Sequence, residues 1–256
     1  GCSALVLTLD QGKALAELAT AKGLRVGSAP DTFLGGAGDQ VIQAVARTSN
    51  GHILVAGYTT APLPPGYVTS GAYQTSMGGG TGDGFVMRLD PSKTGIAQVV
   101  WGSYFGGTEF DSFVGVDTDS RGRICLAGFT RSTNLPTSAN AFQPRNAGGI
   151  DGFLAVLSPN GSRLQFSSYL GGSAGGTWHD SITRFRVDPQ DRLVVIGATE
   201  SPNFPTTANA WRPQYGGGFE GFLTIVDPAL SGRAQLAYST LTGMRVHDYL
   251  LDFEFA

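Results

Sequence analysis

Asn134-Leu135-Pro136-Thr137-Ser138-Ala139-Asn140-Ala141-Phe142-Gln143-Pro144 returns further along the chain as Asn203-Phe204-Pro205-Thr206-Thr207-Ala208-Asn209-Ala210-Trp211-Arg212-Pro213. Seven of the eleven positions are identical, and the changes Leu/Phe, Ser/Thr and Phe/Trp keep their character. A looser copy lies at Ala72-Tyr73-Gln74-Thr75. A repeat of about 69 residues marks stacked supersecondary units rather than one irregular domain.

Three further signatures keep the same period and order. The first is Asp83-Gly84-Phe85, repeated as Asp151-Gly152-Phe153 and Glu220-Gly221-Phe222. The second is Ala56-Gly57-Tyr58-Thr59, repeated as Ala127-Gly128-Phe129-Thr130 and Ile196-Gly197-Ala198-Thr199. Phe33-Leu34-Gly35-Gly36, Tyr104-Phe105-Gly106-Gly107 and Tyr169-Leu170-Gly171-Gly172 mark the junctions, with a degenerate fourth at Leu241-Thr242-Gly243. The units are therefore 33–103, 104–168 and 169–240, between a partial unit at 1–32 and the start of another at 241–256.

Within the second unit, four short runs rich in β-branched and aromatic residues are bounded by Gly, Pro and Asn, which is the pattern of strands. They are Ser112 to Asp117, Arg123 to Phe129, Gly152 to Leu157 and Arg163 to Tyr169. A four-stranded sheet cannot cover both its own faces, so neighbouring copies must stack. The expected fold is all-β, with propeller blades of four antiparallel strands as first choice and another stacked repeat sheet as second. In the partial first unit, Ala4 to Asp10 and Leu24 to Gly27 read as third and fourth strands. Ala14 to Lys22 between them reads as a short helix or an insertion. Tyr249 to Phe255 reads as the opening strand of the next unit. Entering and leaving mid-unit, the chain is expected to be an arc of a larger propeller, with a four-bladed ring closed by its terminal half-units as the alternative. Its terminal faces would be covered by further copies of the repeat or by a protein partner.

The order of motifs resembles the bacterial beta-propeller repeat family, the SBBP repeats. That family's unit has a Tyr-Leu-Gly-Gly junction, a following Asp, an Ala/Thr-Gly-Tyr/Phe-Thr run and Asn-Phe-Pro-Thr-Thr. It continues with Ala-Phe-Gln, a Gly-rich Asp-Gly-Phe run and an Asn/Asp-Pro turn. The match runs from Phe33 to Ala256, with departures at the inserted Pro62 to Tyr67 and at Leu241 to Met244. The resemblance implies a secreted or cell-surface bacterial protein and implies no reaction.

Composition narrows the function classes. The chain of 256 residues is 41% apolar and 14% charged, with 38 Gly, so it is neither disordered nor collagen-like. Its formal charge of −3 and the absence of a basic run argue against nucleic acid as partner. No apolar stretch reaches the ~20 residues of a membrane span. Cys2 and Cys125 are too few for a disulfide framework or a structural zinc site. Gly1-Cys2 is either the end of a lipoprotein signal, with Cys2 lipid-anchored, or part of a segment of a longer chain.

Asp39, Asp111, Asp180 and Asp248 recur at nearly the repeat period, each before the first strand of its unit. Such a row of carboxylates either holds a cation or, more simply, accepts backbone N–H bonds that fix the turn between units. His179-Asp180 and His247-Asp248 are the sharper binding candidates, because two His and two Asp on one rim could hold a transition metal. The other units carry Gly38 and Phe110 at the His position, which breaks any full ring; no metal and no cofactor is expected. Asp117 to Gly122 faintly resembles a calcium loop, but Arg121 occupies a ligand position. Cys125 aligns with Leu54 and Val194, the pattern of a buried apolar site. Phe142 and Trp211 have the chemistry to stack on sugars, although their fixed register with Tyr73 favours packing. The leading expectation is a non-enzymatic surface scaffold that presents loops to a protein or glycan. The alternative is a propeller-framed lyase or hydrolase acting on carbohydrate, which would need a non-repeated cluster of acid and base.

Overall fold

The computed structural model describes residues 36–173 and 180–245. The strand and helix readings for residues 1–32 and for Tyr249 to Phe255 lie outside the described residues. Among the described residues, twelve strands form three four-stranded antiparallel sheets. The first contains β1 (Gln40–Arg47), β2 (Ile53–Thr59), β3 (Asp83–Leu89) and β4 (Val99–Phe105). The second contains β5 (Asp111–Thr118), β6 (Ile124–Thr130), β7 (Asp151–Leu157) and β8 (Leu164–Leu170). The third contains β9 (Ser181–Val187), β10 (Leu193–Thr199), β11 (Glu220–Val226) and β12 (Leu236–Arg245). Each sheet is a meander in sequence order, and among the described residues no strand of one sheet pairs with a strand of another. The only helical pieces among the described residues are 3-10 turns at Gly95–Gln98 and Gly232–Gln235, which the strand pattern did not foretell. No helix among them is long and apolar enough to cross a membrane.

The register explains one repeated glycine. The first strand of each sheet carries a bulge at the same place, so that Gln43, Val114 and Thr183 are left out of the pairing. A bulge leaves one residue unpaired and bends its strand. Opposite it stand Gly57, Gly128 and Gly197, where a Cβ would overlap the carbonyl oxygens of Val41, Ser112 and Ser181. The glycine of the Ala-Gly-Phe-Thr signature is therefore demanded by close backbone approach.

The sheets stack face to face. Leu54, Ala56 and Val86 of the first meet Ile124, Leu126 and Phe153 of the second in one apolar layer. Cys125, Ala127, Leu154 and Val156 meet Leu193, Val195 and Phe222 of the third in another. Alternate residues of β6 thus serve opposite layers, and every residue of β7 is buried. Burial of each large side chain contributes roughly 1.5–3 kcal/mol, so the middle sheet is held from both sides. Phe153 adds ring contacts to Phe105 at 5.7 Å and to Phe113 at 5.4 Å.

Polar contacts also link successive first strands and the turns that follow them. Ser112 Oγ donates to Gln43 Oε1 at 2.9 Å, and the Ser120 N–H and hydroxyl donate to the Asp191 carboxylate at 2.8 and 2.7 Å. Asp191 sits at φ 62° where the other units use Gly51 and Gly122. Its bond to Ser120 offsets the left-handed backbone.

The long connection after each second strand is sewn onto the free edge of its own fourth strand. Ser138 N donates to Ser167 O at 3.0 Å, and Tyr169 N to Gln143 O at 3.1 Å. The same bonds recur at Thr69–Gly102 and Tyr104–Gln74, and at Thr207–Ser239 and Leu241–Arg212. An open strand edge is a template for unwanted pairing, and these connections cover it. Tyr169 pins the connection from below: its hydroxyl accepts from Leu135 N and donates to Ser132 O, both at 2.8 Å.

Candidate functional site

Each boundary between sheets encloses a pair of carboxyl groups from different units. One member stands at the entry to a first strand, as Asp111 and Asp180. The other opens a third strand, as Asp83 and Asp151. All four are fully buried.

The entry carboxylates fasten the Gly-Gly junction to the turn beyond the second strand. Asp111 Oδ2 accepts from Gly107 N at 2.7 Å and from Ser132 Oγ at 2.9 Å, while Oδ1 accepts from the Thr130 hydroxyl. Asp180 repeats this with Gly172 N at 2.5 Å, Ser201 Oγ at 2.8 Å and the Thr199 hydroxyl. Burial drives the Asp111 carboxyl above the usual range, and these donors pull the other way.

Asp39 does not share this position. Pairing of Gln40 with Thr59 matches that of Asp111 with Thr130, so Gln40 is the equivalent residue, and Asp39 stands exposed one place earlier. Gln40 Oε1 accepts from Gly36 N at 2.9 Å, and its Nε2 donates to Thr59 Oγ1 at 3.3 Å. A neutral amide replaces the carboxylate and keeps the junction contact. Asp39 is the acidic residue nearest the repeat position, 72 residues before Asp111, whereas the strand pairing makes Gln40, 71 residues before it, the equivalent.

The third-strand carboxyls take their donors from the Gly-rich turn just before them. Asp83 Oδ2 accepts from Gly78 N. Asp151 Oδ2 accepts from Ala147 N at 2.8 Å and from Gln143 Nε2 at 3.1 Å. Their other oxygens, Asp83 Oδ1 and Asp151 Oδ1, are buried with no hydrogen-bond partner. Only a glycine separates the two carboxyls of each pair. A Cβ on Gly171 would come within 2.5 Å of Asp151 Oδ1 and 2.8 Å of Asp180 Oδ2, and one on Gly106 within 2.8 Å of both Asp83 Oδ1 and Asp111 Oδ2.

Two buried carboxylates so placed cannot both ionise without cost. Burial first, and then the facing Asp111 charge, push Asp83 up to about 6 against the Gly78 N–H. Burial and the facing Asp180 charge push Asp151 up to about 7, against donors from Ala147 and Gln143. A proton on Asp83 or Asp151 supplies the O–H donor that the orphan oxygen lacks, so each pair is suited to hold one proton. The third unit departs from this: Glu220 replaces the Asp, Arg212 replaces Gln143, and Arg212 Nη2 bonds Glu220 Oε1 at 3.3 Å. The Asp-Gly-Phe signature contained these acids, but their repetition did not reveal that they face the junction aspartates. The paired exchange of Gln143 to Arg212 and Asp151 to Glu220 was the signal available.

Of the binding candidates, His179, His247 and Asp248 lie outside the described residues, and Asp180 turns inward to the junction rather than to a rim. Among the described residues no group of three or more His, Cys, Asp or Glu stands together as metal ligands. The calcium-like turn is closed by protein groups: Asp119 accepts from Arg121 N, Arg123 N and the Arg123 guanidinium, as Asp188 does from Gln190 and Arg192. Cys125 is buried and its thiol is pushed far above the ordinary range by burial. Phe142 packs against the second apolar layer, Tyr73 against the first, and Trp211 is exposed.

No protein-family model matches the chain, and no curated protein matches it.

Proposed function

We propose that the chain is an arc of β-propeller blades, with β1, β5 and β9 innermost, and that it is a scaffold rather than an enzyme. Its role is to present the second-to-third-strand connections, at a bacterial surface or outside the cell, to a glycan or protein. The resemblance to the SBBP repeats and the meander order of each sheet support the blade reading. The observation that carries the function is the way the connections are held. Each is bonded along its own fourth strand, which leaves the equivalent tips Thr75-Ser76, Pro144-Arg145 and Pro213-Gln214 exposed in a repeated row. Rigid, repeated, outward tips suit a repetitive partner such as a polysaccharide, because binding then loses little conformational freedom.

The acidic residues support the same reading. Asp83, Asp111, Asp151 and Asp180 are buried and bonded to backbone at the junctions, a geometry that serves stacking of sheets. Affinity electrophoresis against a panel of acidic and neutral polysaccharides tests the proposal. Retardation by at least one polymer is expected, lost in the triple variant S76E/R145E/Q214E, with no new chain ends released. Accumulation of reducing ends or unsaturated products would favour the carbohydrate-active enzyme instead.

A further inference from the structure

Each exposed tip is closed at its root by the acid that opens the third strand. In the second unit Asp151 Oδ2 accepts from Gln143 Nε2 at 3.1 Å and from Ala147 N at 2.8 Å, one on either side of Pro144-Arg145. In the first unit Asp83 Oδ2 accepts from Gly78 N, just past Thr75-Ser76. In the third, Glu220 Oε1 accepts from Arg212 Nη2 at 3.3 Å and from Gly216 N at 2.9 Å. The glycine between the two carboxyls of each pair joins the same clamp. Gly106 N donates to Gln74 Oε1 at 3.1 Å, and Gly171 N to Gln143 Oε1 at 3.0 Å. Each glutamine then donates its Nε2 to a carbonyl of the tip, Ser76 O at 3.0 Å and Arg145 O at 3.3 Å. A chain of hydrogen bonds thus runs from each acid pair to its tip.

The two members of a pair are held unequally. Asp111 and Asp180 are each anchored by a junction N–H, a Ser hydroxyl and a Thr hydroxyl. Among the described residues, the Asp83 and Asp151 carboxyls take their bonds from the root of the tip alone. The other titratable groups around the pairs are Glu109 and the Tyr104, Tyr169 and Tyr215 hydroxyls, none of them a cation. Loss of the proton leaves two buried like charges across a glycine, and the less anchored member is the one that can move.

We propose that Asp83 and Asp151 are pH-sensitive clamps on the tips Thr75-Ser76 and Pro144-Arg145, closed while each pair holds its proton and loosened when the proton leaves. The inference rests on reading those tips as the presenting surface, and it makes their presentation to a partner a function of pH. Both carboxyls sit above the ordinary value of 3.8, Asp83 at about 6 and Asp151 at about 7. The clamps are therefore closed in mildly acidic surroundings and loosen as pH rises through those values. At the third tip Arg212 supplies as a fixed charge what a proton supplies at the other two. Its Nε also donates to Gln214 O at 3.4 Å, so this tip keeps its clamp without a shared proton.

Amide hydrogen exchange of the whole chain, read by NMR and corrected for its intrinsic pH dependence, tests this from about pH 5 to about pH 8. Protection of Gly78 N and Ala147 N is expected to fall by roughly tenfold or more across the range. Gly216 N, clamped through Arg212, should hold steady, as should Gly161 N, which donates to Ser158 O in the β7–β8 turn far from Asp151. In D151N the protection of Ala147 should stay level while that of Gly78 still falls, and D83N should do the reverse. The wild-type comparison stands alone if either variant fails to fold. Level protection at Gly78 and Ala147 in wild type, an equal fall at Gly216 and Gly161, or an undiminished fall at Ala147 in folded D151N would each overturn the proposal. Exchange needs no ligand, so a failure to bind any polysaccharide would remove the scaffold reading and leave these data standing.

Discussion

Substitution of Asp151 by Asn should raise stability at alkaline pH and flatten its dependence on pH. In the folded chain Asp151 is held at about 7 and Asp83 at about 6, against 3.8 for both in the unfolded chain. The fold therefore binds more protons than the unfolded chain between pH 4 and 7, and stability falls as pH rises through that window. The contribution is fully present below about pH 4 and is lost as pH passes 6 for Asp83 and 7 for Asp151. At ~1.4 kcal/mol per pH unit, the two acids withdraw at most roughly 3 and 4 kcal/mol, and relaxation of the buried pairs reduces both. Asp90 and Asp191, held low by Ser92 and Ser120, titrate below this window. An Asn at 151 keeps an oxygen for Ala147 N and Gln143 Nε2 and offers its NH2 to Asp180, so it copies the protonated acid. Urea unfolding at pH 4.5, 6 and 8 measures the effect. Wild type should lose roughly 2–4 kcal/mol across the range, about half the upper limit for the two acids together. D151N should be near neutral at pH 4.5 and about 1–4 kcal/mol more stable than wild type at pH 8. A wild-type profile flat from pH 4.5 to 8, or a D151N penalty equal at both ends, would refute the shared proton.

Two further outcomes follow from single contacts. Y169F removes the hydroxyl between Leu135 N and Ser132 O, so a buried N–H loses its acceptor; chemical denaturation should show a loss of about 1–3 kcal/mol with no change in subunit packing by scattering. G128A drives a Cβ against Ser112 O and the Phe153 ring, and thermal melts should show at least ~3 kcal/mol of destabilisation or no folded protein.

Strand existence was legible in the residues because the signals are local. Alternating apolar residues between Gly, Pro and Asn placed all four strands of the second unit to within a residue or so of Asp111–Thr118, Ile124–Thr130, Asp151–Leu157 and Leu164–Leu170. The need for stacking was legible too, since β7 is apolar on both faces and one sheet can cover only one of them. Cys125 read as core because Leu54 and Val194 hold its place in the other units, and it is buried.

What only the tertiary structure decided is which residues meet across a boundary. Gln40 rather than Asp39 holds the first junction, because register in a sheet is set by strand pairing and not by counting the period. Asp83 with Asp111, and Asp151 with Asp180, are distant in sequence and belong to different units. Nothing in their own surroundings of sequence shows that a glycine alone will separate them. Likewise Tyr73, Phe142 and Trp211 look alike as residues, and only the structure shows the first two partly buried against apolar layers and the third exposed. Sequence determined the unit, its strands and its apolar faces, because those follow from short-range chemistry. The proton-holding pairs arise from stacking one unit on the next, a long-range arrangement that no single unit encodes.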